Sequence, residues 1–204
     1  MTKRLWIAYD VETERLHYEV RGGWDNPAGF GFTVGAAVDN EGVEYTFNSH
    51  DNAEARAALV AHILQYERIV SFNGKKFDNP VVAAGDDIIR ARLDEKTWDI
   101  KALIDAELGI EPRAEIHVVS LEGLAKATLN EGKSLSDGRE AVRLWRKGAF
   151  KVVEDYNLQD ARLTAGIWLF GLQHNFVLFE PARLPIRYGE GGLIVVKVKA
   201  TWKR

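Results

Sequence analysis

The order in which this chain spaces its apolar residues restricts its fold more than any other feature. Three short runs come first, RLWIAYDVE, GFGFTVGAAVD and EGVEYTFN, each with the length and the β-branched or aromatic content of a strand. Asp39 to Gly42 separate the second from the third, which predicts a hairpin turn. Helical spacing follows in SHDNAEARAALVAHILQYE, where Ala55, Leu59, Ile63 and Tyr66 share a face behind an Asp51 or Asn52 cap. RIVSF then reads as a strand, TWDI as one more short strand, and SLEGLAKATL, GREAVRLWRKG and FKVVEDYNLQDARLTAGIWLFGL as helices. A sheet that opens as a meander and continues through a helical crossover is mixed. The expected fold is therefore α/β, a central sheet flanked by helices.

The 204 residues, with no repeat or low-complexity linker, suit one domain over 1–204 with a basic, β-rich extension at 181–204. A hydrophobic fraction of 46% is enough for a sizeable core. The longest apolar stretch, GIWLFGL, falls far short of the roughly 20 residues of a membrane span. The N-terminus runs straight into an acid, so neither signal peptide nor membrane partner is expected, and the location expected is cytoplasmic. Without cysteine there is no disulfide and no thiolate zinc site, and His17, His50, His62, His117 and His174 show no metal-ligand spacing. Any metal must be held by oxygen.

A net charge of −3 gives no global footprint of a nucleic-acid partner. The tail differs: beyond residue 180, six basic residues stand against the single acid Glu190. In LIVVKVKATWK, alternation sends Ile194, Val196, Val198, Ala200 and Trp202 to one side and Lys197, Lys199 and Lys203 to the other. That pattern fits a solvated edge protected by lysines or a stripe that tracks phosphates. The stretch ERLHYEVRGGWDNPAGFG, longer than a routine connection, is either disordered or functional.

The acids carry the chemistry. Asp10 and Glu12, two apart at the end of the first strand, point to the same side. Tyr156 and Asp160, four apart on a helix, stack one turn from each other. Asp78 lies in FNGKKFDNP between a strand and a helix, where it caps the helix or joins acids from elsewhere. Together Asp10, Glu12, Asp78 and Asp160 form a hard-oxygen set suited to magnesium or manganese. Gathered without metal, four such acids repel one another.

YDVET, FNGKKFDNP and YNLQDARLT, in that order, resemble the three motifs of the DEDD superfamily of 3′–5′ exonucleases, which have a ribonuclease H-like fold. Where one branch of that superfamily has a histidine, this chain has Asp155, and it carries the Tyr-x-x-x-Asp of the DEDDy type as Tyr156 and Asp160. IVSFNGKKFDNPVV is similar to the exonuclease domain of family B polymerases. The stretch from SLEGLAKATL to YNLQDARLT is similar to the YprB-like predicted exonucleases, some of which are fused to helicases.

The resemblance implies a metal-dependent exonuclease acting on the 3′ end of DNA or RNA, single-stranded ends favoured, that releases nucleoside monophosphates. A helicase or polymerase is the implied protein partner. Asp10, Glu12 and Asp160 would hold one divalent ion, Mg2+ or Mn2+, with Asp10 bridging to a second that Asp78 helps to place. Tyr156 would orient the attacking water. Phe77 would stack on the terminal nucleotide and Asn73 hydrogen-bond to it, with Lys75 and Thr13 as further substrate contacts. Phe77 is equally suited to the core, and Lys75 and Lys76 to solvent. Asp99, where related sequences often carry an acid, is read as a helix cap. A catalytically silent binding module on the same fold and a structure-specific endonuclease are the alternatives.

Overall fold

In the computed structural model, which describes residues 4–109, 119–132 and 138–179 and the backbone of 194–197, the first apolar run forms β1 (Trp6–Glu12). It pairs antiparallel with β2 (Val34–Asp39), which pairs antiparallel with β3 (Glu44–Asn48). Asp39 closes the hairpin by accepting from the amides of Glu41 and Val43 at 2.9 and 3.0 Å. Gly42 supplies the left-handed φ of +78° that the turn needs.

The chain then passes through α1 (Ala55–Ile63) to β4 (Arg68–Ser71). It continues by α2 (Asp78–Ala83) and α3 (Asp87–Lys96) to β5 (Thr97–Asp99) and α4 (Ile100–Glu107). β4 is parallel to both β1 and β5, which gives a five-stranded mixed sheet in the order β3-β2-β1-β4-β5. The helices α5 (Leu121–Leu129), α6 (Gly138–Arg146) and α7 (Phe150–His174) follow. A separate ribbon pairs β6 (Phe176–Phe179) with β7 (Ile194–Lys197).

Alternation along β1 sorts the two cores. Ile7, Tyr9 and Val11 pack with Leu59, Ile63, Ile69 and Leu93 on the side of α1 and α3. Trp6 and Ala8 face the other way, packing with Ala36, Val70, Ile100, Leu124 and Trp168. Each large aliphatic side chain buried in this way stabilises the fold by roughly 1.5–3 kcal/mol. The 25-residue α7 lies across β1 and β2. The same period of two that puts Trp6 and Ala8 under α7 carries Asp10 and Glu12 to its side at the strand's C-terminal end.

One expected cap is absent, one alternative for the long loop is removed, and one strand is added. The predicted Asp51 or Asn52 cap is absent: α1 starts after Glu54 with no side-chain cap. Asn52 instead accepts from the Glu54 amide at 2.9 Å, and its carbonyl accepts from Ala55, so the chain turns once before the helix begins. The long segment after Glu12 is ordered as three 3-10 turns at His17–Glu19, Gly23–Asp25 and Pro27–Phe30, anchored by buried Leu16, Val20 and Phe30. FVLF adds a strand, β6, that the sequence reading did not include. The expected facing of the tail lysines lies outside the described residues.

Candidate active site

At the C-terminal end of β1, Asp10 and Glu12 sit opposite Ala36 and Val34 of β2. Small and β-branched neighbours leave α7 room to approach. Asp10, Glu12 and Asp160 each offer a carboxylate oxygen, all within 4.8 Å of one another. Glu12 and Asp160 are buried, 8% and 3% exposed. Three acids this close in low dielectric repel strongly unless a cation or protons intervene. The donor set is all hard oxygen, and the buried Asn157 Oδ1 beside it has no hydrogen-bond partner in the protein. Both features suit a hydrated divalent cation.

Tyr156, one turn before Asp160, is buried against Val34, Ala141 and Val153. Its hydroxyl is hydrogen-bonded to Asp160. Burial, and then the carboxylates of Asp160, Glu12 and Asp10, push its pKa far above the phenol's ordinary value. Because burial is the larger cause, Tyr156 stays protonated and acts as a hydrogen-bond donor.

Asp78 is held apart from this triad. The ladder between β1 and β4 stops at Ala8 opposite Val70. Beyond it, the amide of Val11, between Asp10 and Glu12, donates to Asp78 Oδ1 at 3.0 Å. Burial raises the Asp78 carboxyl to about 7, with Asp99 and Asp160 adding to the rise and the amides of Val11 and Asp78 opposing it. Asp78 is not the cap that one reading expected: it is the first residue of α2, which begins after Phe77 with no side-chain cap, and its carboxylate instead fastens the helix to the strand that carries two of the acids.

The loop before Asp78 is held by Asp99. Its Oδ1 accepts from the amides of Asn73 at 2.9 Å and Ala102 at 3.2 Å, and its Oδ2 from Lys75 at 3.1 Å. Asp99 therefore caps α4, as expected, and also clamps FNGKK. Asn73 takes a left-handed φ of +67°. A Cβ at Gly74 would fall on the Ser71 hydroxyl and 2.5 Å from Ser71 Cβ, so this turn admits no larger residue unstrained.

Of the expected substrate contacts, Phe77 is half-buried, its ring centroid 5.5 Å from that of Phe30 and 6.0 Å from that of Trp24. Asn73 and Lys75 are partly exposed on the loop. Thr13 is buried, and its hydroxyl donates to the Arg15 carbonyl at 3.3 Å, closing the turn out of β1.

Sequence reading missed Asn157. Fully buried, it donates from Nδ2 to Asp10 Oδ2 at 2.7 Å and fixes that carboxylate. Its signal was a polar residue three before Asp160 on the apolar side of a helix. Asn79 was missed too: it accepts from the Tyr9 hydroxyl and donates to Asp94 at 2.6 Å and Thr97 at 3.1 Å, tying α2 to β1, α3 and β5.

A model of the RNase_H superfamily matches residues 9–168, a span that includes every acid of the site. No curated protein matches the chain. Among solved structures, the family B DNA polymerase from the hyperthermophilic archaeon Pyrobaculum calidifontis is similar to 82% of this chain, with a TM-score of 0.57 and 18% identity. This chain corresponds to 24% of that polymerase, and the likeness is one of fold.

Proposed function

This chain belongs to the RNase_H superfamily, and we propose that within it the chain is a DEDDy-type 3′–5′ exonuclease that hydrolyses phosphodiester bonds at the 3′ end of DNA or RNA and releases nucleoside monophosphates. The observation that carries this reading is the convergence of Asp10, Glu12 and Asp160 oxygens within 4.8 Å, with the Tyr156 hydroxyl bonded to Asp160. The 3′ polarity rests on the order of YDVET, FNGKKFDNP and YNLQDARLT along the chain.

Asp10, Glu12 and Asp160 would hold one divalent cation, and Asp78 would help to place a second. Such cations supply the positive charge that an in-line displacement needs on its attacking and leaving oxygens. The protein's own groups do the rest. Asn157 keeps Asp10 in one orientation, and Val11 does the same for Asp78. Tyr156, whose one proton is given to Asp160, offers its hydroxyl oxygen as the acceptor of a hydrogen bond that orients the attacking water. Asn73 and Phe77 hold the terminal nucleotide, and the Asp99 clamp on the Asn73 amide keeps their loop in one conformation.

The test is release of nucleotide from single-stranded DNA and RNA with Mg2+ or Mn2+, beside Asp10→Ala, Tyr156→Phe and an EDTA control. Asp10→Ala and EDTA are expected to abolish release. Tyr156→Phe removes one orienting hydrogen bond of about 1.4 kcal/mol and is expected to slow it roughly 10-fold. No release by folded, metal-supplied wild type would leave a silent binding module instead.

A further inference from the structure

The segment between β1 and β2 carries a chain of aromatic rings, part of which the fold does not use as core. Tyr18 and Trp24 are 69% and 64% exposed, which leaves most of their apolar area wet. Trp24 and His17 stack, centroids 5.1 Å apart and planes 12° from parallel, and Tyr18 meets His17 edge-on at 5.3 Å. On the inner side, the Trp24 centroid is 5.4 Å from that of Phe30 and 6.0 Å from that of Phe77. Phe77 immediately precedes Asp78. The rings thus lead from Phe77, next to Asp78 in the chain, out to solvent.

The support beneath them is fixed. Leu16, Val20 and Phe30 are buried. Glu19 accepts from the Leu16 amide at 2.7 Å and from the Arg146 guanidinium of α6 at 2.6 and 2.9 Å. A single exposed apolar side chain needs no explanation, but two large rings continuous with a row of others form a patch. Arg21, between them in sequence, is exposed and adds to the segment a cation suited to phosphates.

We infer that Tyr18 and Trp24 form a stacking platform for unpaired nucleobases of single-stranded nucleic acid, taking the nucleotides on the 5′ side of the one held at Phe77. The ligand follows from the proposed nuclease site, on which this inference rests. Ring faces accept any base, so the platform is tolerant of sequence. A duplex keeps its bases stacked on each other and presents none, so single strands bind more tightly than blunt duplexes.

The test is the affinity for a fluorescein-labelled oligothymidylate of about a dozen nucleotides, measured by anisotropy in EDTA so that hydrolysis cannot intervene. Thermal melts establish that Tyr18→Ala and Trp24→Ala remain folded, as their exposure leads one to expect. Each is expected to raise Kd roughly 10-fold and the pair roughly 100-fold, with Trp24→Phe retaining most of the affinity. The slope of log Kd against log salt stays the same, because no phosphate contact is lost. An abasic strand of equal length binds wild type and variants alike.

Unchanged Kd in both variants overturns the inference, as does an equal loss on the abasic strand. It is also overturned if Trp24→Ala turns a dimer into a monomer without changing strand affinity, since the rings then cover a second copy. A protein that cleaves nothing yet binds strands through Tyr18 and Trp24 loses the nuclease reading and keeps the platform. One that cleaves strands while ignoring both rings does the reverse.

Discussion

Asp39 and Asp78 are both buried acids, and the protein treats them in opposite ways. Burial pushes Asp39 up, but the amides of Glu41 and Val43 and the hydroxyls of Tyr45 and Tyr66 outweigh it, so its pKa lies below the ordinary value. The unfolded chain then binds the proton more tightly. The stability Asp39 contributes is complete above the unfolded pKa of about 3.9 and is lost as pH falls through the folded value. Asp39→Asn is expected to flatten the acid limb of a plot of urea midpoint against pH, and an unaltered limb would contradict this. Asp78, raised to about 7, has the other sign: the folded state binds the proton more tightly, and stability falls as pH rises from about 4 to 7. Metal-free Asp78→Asn is therefore expected to be more stable than wild type at pH 8, by up to about 4 kcal/mol, and equal to it near pH 4. Equal melting temperatures at pH 8 would show that Asp78 is not strained by its charge. At Asn157 the expectation concerns the cation: Asn157→Ala frees the Asp10 carboxylate and is expected to weaken Mn2+ binding roughly 10- to 100-fold in a calorimetric titration.

At the scale of elements, legibility followed the number of levels on which the sequence agreed with itself. β1 had β-branched and aromatic content and an acid pair at its end, and α7 had a long helical period, so both were plain in the sequence. α3 had neither stripe nor run. Leu93 alone is buried on it, and only the Asp86 carboxylate, accepting from Ile88 and Ile89, marks its start. The sequence left the segment 14–29 open between disorder and function because 3-10 turns have no amphipathic period to display. The loop 72–77 is the tightest element near the site, and Gly74 is its constraint. Gly74→Ala is expected to cost about 1–3 kcal/mol in urea unfolding. Adding Ser71→Gly removes the clash, so the double variant is expected to be more stable than the sum of the two single changes predicts. Simple additivity would show that the loop relaxes by another route.

Across the whole molecule, what the sequence conveyed best was the set of residues that one fold must bring together. Asp10, Glu12 and Asp160 are 148 or more positions apart along the chain between strand and helix, yet they share a site because β1 and α7 lie against each other. What the sequence withheld were the fasteners: Asn157 on Asp10, Val11 on Asp78 and Asp99 on the loop depend on distances no pattern encodes. A buried acid cluster also links metal binding to protons, since cations compete with protons for the same oxygens. The rise in melting temperature on adding Mn2+ is expected to be larger at pH 8 than at pH 5.5, and a rise independent of pH would place the cation elsewhere. The measurement that tests the central claim most directly is the product pattern from one oligonucleotide labelled at its 5′ end and, separately, at its 3′ end, with a circular strand as control. The account predicts a ladder of shortening 5′-labelled products, immediate release of the 3′ label as a mononucleotide, and an intact circle. Cleavage of the circle, or a ladder that shortens from the 5′ end, would contradict it.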